Sequence, residues 1–233
     1  MTLAAAMILA AGRGERMRPL SDATPKPLLR VGGKALIVWQ IESLGRAGLR
    51  DIAINVSHRA DAIVDALGDG AAHGVRIRYS RETEPLETAG GIATAADLLA
   101  PGPVVIVSGD IFTRFDYATL APRAAPMRDA NAASRVHLVM VPNPPYHPGG
   151  DFVLTGERID ERDGERLTFG NIGLYDSALF RELPRGVKLR MLPLYREWIA
   201  RGIVSGERYD GPWANVGTPD DLAALDASVR GSP

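Results

Sequence analysis

Cysteine is absent from the 233-residue sequence, which excludes disulfides, thiolate metal sites and cysteine nucleophiles and suits a reducing compartment. Charge of one sign is not in surplus either: 27 Lys and Arg face 28 Asp and Glu, a formal net charge of -1. Without a global attraction for polyanions, neither nucleic acid nor membrane is expected as a partner. Long apolar runs are also missing. The opening MTLAAAMILAAG has no Lys or Arg ahead of its apolar stretch, whereas a signal peptide needs a basic start and a membrane span needs roughly 20 apolar residues. It reads as a buried strand in a cytoplasmic protein. No linker, like-charge run, low-complexity tract or internal repeat divides the chain, so a single domain over residues 1–233 is expected, as a monomer or small homo-oligomer. His58, His73, His137 and His147 lack i, i+4 pairing, and no serine sits in a G-x-S-x-G elbow. Zinc sites and serine hydrolases lose ground accordingly.

What is present alternates. Residues 4–9 form an apolar stretch that runs into Ala-Ala-Gly-Arg-Gly, as a strand buried on both faces and followed by a tight loop would. Residues 35–47 carry helical spacing, with Leu36, Trp39, Gln40, Ser43 and Leu44 near one face and Gly48 as C-cap. Strands over 52–56, 75–79 and 104–107 then alternate with helices over 60–67 and 91–99. This order predicts an α/β fold, Rossmann-like, with a mixed but mostly parallel central sheet flanked by helices. Ligands of such sheets lie beyond the carboxyl ends of the strands, where both the glycine loop after Leu9 and Ser108-Gly109-Asp110 fall. Past Asp110, prolines and Gly149-Gly150 break the pattern. Strands are expected there over 151–155 and 167–175, with helices over 192–201 and 219–229, the last capped by Thr218.

The segment that carries chemistry is Leu9-Ala10-Ala11-Gly12-Arg13-Gly14-Glu15-Arg16-Met17-Arg18-Pro19-Leu20, with Thr24-Pro25-Lys26-Pro27-Leu28 behind it. Gly12 and Gly14 remove side chains so that backbone N–H groups can turn toward an anion, and Arg16 and Lys26 add positive charge. Triphosphate is the guest this combination suits. The segment is not a Walker A loop, and Met17 stands where G-x-G-x-x-G needs its third glycine. A dehydrogenase reading also lacks a ribose-binding acid after the second strand, where Asn55 to His58 stand. Elsewhere, residue type alone leaves alternatives open. Asp110 after a strand is a turn residue or a metal ligand. Thr88 and Gly90 are helix-capping residues or a wall read by a nucleobase. Asp151 is a turn residue or a sugar ligand. Asn171, Asn55 and Lys188 are further pocket candidates, each with an ordinary structural reading.

The L-A-A-G-x-G-x-R-M-x-P-L and T-P-K-P-L pair resembles the signature of the sugar-1-phosphate nucleotidyltransferases. Among them the chain is most similar to the short bacterial N-acetylmuramate-1-phosphate uridylyltransferases of cell-wall recycling. The similarity runs from Met7 to about Asp226, through residues 77–80 and 84–92, Gly150-Asp151-Phe152 and Trp213-Ala214-Asn215-Val216-Gly217-Thr218. It implies the nucleotide-diphospho-sugar transferase fold and transfer of UMP from UTP to a sugar 1-phosphate with Mg²⁺. Arg16 and Lys26 are the implied catalytic pair. Leu9, Ala10, Ala11, Gly12, Gly14, Glu15, Thr88, Gly90 and Ser108 join them around the nucleotide, Asp151 and Asn171 meet the sugar, and Asp110 and Asn215 hold the metal. Asn215 departs from the W-x-D-V-G-T form of the motif and supplies one negative charge fewer. Longer relatives carry an added acetyltransferase domain, which the stretch after Thr218 is not expected to hold. The competing readings are transfer of GMP, CMP or dTMP to a hexose or heptose 1-phosphate, such as mannose 1-phosphate, and a silent nucleotide-binding regulator.

Overall fold

The computed structural model describes residue 3, residues 5–129 and residues 132–231; Ala4, the head of the expected first strand, lies outside them. The chain runs through β1 (Ala5–Leu9), α1 (Leu20–Ala23), a hairpin of β2 (Arg30–Val31) and β3 (Lys34–Ala35), α2 (Leu36–Arg46), β4 (Asp51–Val56), α3 (Ala60–Leu67), β5 (Arg76–Arg81), α4 (Glu87–Thr94), β6 (Pro103–Ser108) and β7 (Ile111–Thr113). It continues with α5 (Ala121–Ala124), β8 (Val136–Val141), β9 (Phe152–Thr155), β10 (Arg158–Asp160), β11 (Arg166–Asp176), α6 (Ala178–Arg181), α7 (Met191–Ala200), β12 (Val204–Arg208), β13 (Trp213–Asn215) and α8 (Pro219–Gly231).

Nine strands form one mixed sheet in the order β5-β4-β1-β6-β11-β8-β12-β10-β9. The β5-β4-β1-β6 half is parallel throughout, and β11 enters antiparallel to both β6 and β8. The parallel half explains the unbroken apolar runs. Along β1, Ala6 and Ile8 face α2 and α3, while Ala5 and Met7 face α4 and α7, so these four positions are buried against a helix layer and only Leu9, at the cleft, is partly open. A third apolar cluster, Met17, Leu29, Val31, Leu36, Phe112 and Val216, lies under α8 and fastens the loop after β1 to the chain's last helix. Among the described residues no helix is long and apolar enough to cross a membrane.

α2 and α3 match their expected spans closely. In α2 the buried stripe is Leu36, Ile37, Gln40, Ile41 and Leu44, while Trp39 and Ser43 flank it half-buried. Gly48 ends the helix with φ 85, and the next N–H, of Leu49, donates back to Leu44 O at 3.0 Å. α4 begins at Glu87, four positions before the expected start near Gly91. The N–H groups of Ala89 and Gly90, orphans of a first helical turn, both donate to Leu189 O at 3.0 and 3.2 Å. An outside acceptor thus supports a helix start that local glycine content argues against. β8 has no counterpart in the sequence reading, because its partners β11 and β12 come from far along the chain and local proline punctuation conceals the run.

Candidate active site

The register of the parallel strands builds the site's floor. Leu9 is opposite Asn55 on one side and Ser108 on the other, and Asn55 is opposite Ser80. Four strand ends therefore finish in one row, and the loops leaving them enclose a cleft of about 650 Å³. The structure brings Leu9, Ala10, Ala11, Gly12, Gly14, Glu15, Arg16, Lys26, Thr88, Ser108 and Asp110 together around it, with Asn55 and Lys188. Glu82, Glu84 and Glu87 complete the wall opposite the glycine loop.

At the phosphate-loop end, Gly14 takes φ 63, and a Cβ there would lie 3.0 Å from Lys26 Cβ. The missing side chain admits Lys26, whose residue is only 9 % exposed. Lys26 Nζ donates to Asp110 Oδ2 at 2.6 Å. Gly109 lets the end of β6 close on β1: its N–H donates to Leu9 O at 2.9 Å, and a Cβ there would lie 3.1 Å from that same oxygen. Asp110 is thereby carried beside the loop. β7 continues from it and pairs with β13, with Asn215 opposite Ile111, and Val216 N donates to Asp110 O at 3.2 Å. The sequence separates Asp110 from Asn215 by an entire half-domain, and a three-residue ladder joins them.

Asn215 Oδ1 is a buried oxygen without a hydrogen-bond partner. A buried acceptor left unpaired is unfavourable unless something absent from the polypeptide completes it. Asn215 does not line the cleft, and its strand is joined to the Asp110 segment through backbone; an amide oxygen together with a carboxylate is a donor set that a hard divalent cation accepts. Among the described residues no three His, Asp or Glu side chains gather to hold a metal alone, so an ion here would draw further ligands from phosphate oxygens and solvent. The pair fits such an ion. Arg16 is exposed and packs over Gly217, where a Cβ would lie 3.4 Å from Arg16 Nη1. Gly217 and Thr218 are fixed in turn by the start of α8: both N–H groups donate to Asp221 Oδ2, at 3.0 and 2.8 Å, and Asp221 N donates to Thr218 Oγ1 at 3.2 Å.

The remaining candidates lie elsewhere. Gly90, expected beside the nucleotide, turns away from the cleft: a Cβ there would fall 2.2 Å from Val187 O, so its small size serves packing of α4 against residues 186–189. Asp151 does not line the cleft. Its Oδ2 accepts Phe169 N at 2.8 Å and its Oδ1 contacts His147 Nε2 at 3.1 Å. Asn171 takes φ 57 in β11, where the register shifts between Phe169 and Gly173. Trp213 Nε1 donates to Gly170 O at 2.8 Å. Asp151 and Asn171 are thus brought to one bulge, which Trp213 ties to the strand bearing Asn215. Tyr146, on the loop preceding Asp151, is exposed; its phenol is pushed up by partial burial and by Asp221 and Asp110, against the opposing influence of Arg16.

Two wall residues escaped the sequence reading. Glu82 is buried between Asn55 and the turn into α4; the signal available was a charged residue directly after a strand end. Glu87 holds φ 62 without being glycine, which no local pattern reveals.

The model of a family described as nucleotidyl transferase matches residues 5–147. The N-acetylmuramate alpha-1-phosphate uridylyltransferase of Neisseria meningitidis serogroup B is 45 % identical over 217 residues, 91 % of this chain and 93 % of the relative. The protein of that name in Caulobacter vibrioides is 32 % identical over 234 residues, 96 % of both chains. Among solved structures, HddC from Yersinia pseudotuberculosis complexed with GMP-PN superposes with a TM-score of 0.80 at 19 % identity, covering 97 % of this chain and 99 % of that one. The nucleotide-diphospho-sugar transferase fold is shared with such neighbours.

Proposed function

The chain belongs to the sugar-1-phosphate nucleotidyltransferase family, and on that premise we propose that it transfers UMP from UTP to N-acetylmuramate 1-phosphate in the cytoplasm. A phosphate oxygen of the sugar 1-phosphate attacks the α-phosphorus in line. The bond to the bridging oxygen breaks, pyrophosphate leaves and the UDP-sugar remains. The nucleophile is already ionised at neutral pH, so positioning and charge neutralisation suffice without a general base.

The observation that carries the reading is the Lys26–Asp110 ion pair at the phosphate loop, with the unpartnered Asn215 Oδ1 on the strand that pairs with β7. Lys26 is held at the phosphate loop by an ion pair that can be shared with incoming phosphate, and it neutralises charge that grows between the two phosphates. Arg16, exposed on the same loop, meets the departing pyrophosphate. Asp110 and Asn215 would hold Mg²⁺, which supplies positive charge to the α-phosphate. The nucleoside is assigned to the wall of residues 84–88, and the acceptor sugar to the side where Asp151 and Asn171 shape the β11 bulge. Relatives of this length, matched end to end, support the choice of base and sugar.

The test is a grid of N-acetylmuramate, N-acetylglucosamine, mannose and heptose 1-phosphates against UTP, dTTP, GTP and CTP, followed by pyrophosphate release. Highest kcat/KM is expected for UTP with N-acetylmuramate 1-phosphate. A preference for GTP with mannose 1-phosphate would overturn the substrate assignment, and silence in every cell would overturn the enzyme.

A further inference from the structure

Inside the cleft wall lies a polar arrangement that the transfer chemistry does not use. Asn55 interrupts an apolar strand and is 3 % exposed; Glu82, two residues beyond its neighbour Ser80 in the sheet, is 7 % exposed. Asn55 Oδ1 accepts Ala10 N at 2.9 Å, and Asn55 Nδ2 donates to Glu82 Oε1 at 2.7 Å. Glu82 Oε2 accepts Leu86 N at 2.9 Å and so closes the turn over residues 82–86. Among the described residues no cation pairs with Glu82. Burial pushes its carboxyl up, while the hydrogen bonds from Asn55 and Leu86 pull it down.

The order of donors and acceptors explains the residue types. Both Glu82 oxygens must accept, which a carboxylate does and a carboxamide, with one oxygen, does not. Gly91 is required as well: a Cβ there would lie 2.6 Å from Asn55 Nδ2 and 2.8 Å from Glu82 Oε1. The Ala10 N–H is consumed by Asn55, so the amides free to meet phosphate begin beyond it. One continuous chain therefore runs from the phosphate loop, through Asn55 and Glu82, to the first turn of α4.

We propose that Asn55 and Glu82 are a positioning unit that sets the spacing between the triphosphate loop and the nucleoside wall, and thereby the affinity for the nucleotide. The inference rests on the nucleotidyl-transfer reading. Both residues line the cleft, yet the polar contacts described are with each other and with backbone, so they act through the loops they hold. Contacts that stay the same from ground state to transition state change the Michaelis constant rather than turnover.

The test is a cycle of two substitutions. Asn55→Asp sets carboxylate against carboxylate, and Glu82→Gln sets an amide against a donor. Together they restore the pattern, because the new carboxylate accepts from both Ala10 and the new amide, whose oxygen accepts from Leu86. Each folded single variant is expected to raise KM for UTP about tenfold, with kcat and KM for the sugar 1-phosphate within about threefold. The double variant should return to within about threefold of the unmodified chain. Gly91→Ala should weaken UTP by a similar factor without altering any polar group. Unchanged UTP affinity in folded single variants, or a double variant no better than the worse single, would overturn the proposal. Where the singles fail to fold, the double variant and Gly91→Ala carry the test. Calorimetric titration with UTP alone reads the pair without turnover, so an unmodified chain that binds but does not react counts against the reaction and not against the pair.

Discussion

The two ends of the cleft are built on opposite plans. At the end proposed to hold the metal, charges meet across long stretches of chain and stay available: Lys26 pairs with Asp110, Arg16 lies exposed over Gly217, and Asn215 keeps an acceptor unspent. At the end proposed for the nucleoside the polar groups are closed on one another, from Ala10 through Asn55 and Glu82 to Leu86. The difference follows the chemistry. Phosphates change charge during transfer, so their partners must be free to exchange contacts, whereas the nucleoside does not change and is served by a rigid wall. Substitutions at the two ends should therefore fail in different kinetic constants.

The largest effect is expected at Lys26. Lys26→Ala removes a preorganised cation that meets growing charge, and it leaves Asp110 partly buried without its partner. Loss of one such group is worth about a hundredfold to a thousandfold in kcat, ~3–4 kcal/mol. Steady-state kinetics should show that fall with the UTP Michaelis constant changed far less. An effect confined to KM would erase the contrast between the two ends.

Asn215→Ala comes next. Removal of an outer partner of a metal ligand weakens metal binding about tenfold to a hundredfold, and loss of the ligand itself should do at least as much. The magnesium concentration for half-maximal rate should rise by that factor, while calorimetric UTP affinity at saturating magnesium is restored. At the other end, Gly90→Ala should act on stability. A Cβ 2.2 Å from Val187 O meets backbone rather than a flexible tip, and overpacking of this kind is worth about 1–3 kcal/mol. Urea unfolding reads it; an unchanged midpoint would place the glycine in a role other than packing.

The contrast also explains what could be read from the chain. The phosphate end is contiguous, and glycines, Arg16 and Lys26 announce themselves within residues 9–28 because one loop must contain an anion's whole cradle. Strand periodicity likewise exposes β1, β4 and β6, buried on both faces. The side proposed for the acceptor is assembled from β11, β13 and the loop before Asp151, and its decisive features are a register shift, a left-handed Asn171 and an indole bound to Gly170 O. None has a local signature. Resemblance brought Asp151 and Asn215 into view, but the roles they play in holding the bulge and leaving an oxygen unpaired came only from packing. Gly90 is a related case: a glycine beside a cleft motif reads as room for a ligand, and its missing side chain here also makes room for backbone 97 positions later, at Val187.

The smallest and most discriminating change is Asn215→Asp. It keeps the oxygen that is buried without a partner and adds a negative charge in the neighbourhood of Asp110. With a cation bound, the added charge strengthens binding. Without one, two carboxylates share the position with a single buried Lys26, and mutual repulsion destabilises the fold. The half-saturating magnesium concentration should therefore fall about threefold to tenfold, around 1 kcal/mol. The melting temperature should drop in chelator and recover on adding magnesium. If stability falls equally with and without magnesium, the added charge is merely a buried penalty and Asn215 is not a ligand. If neither quantity moves, no ion completes its buried oxygen, and the metal end must be rebuilt around Asp110 alone.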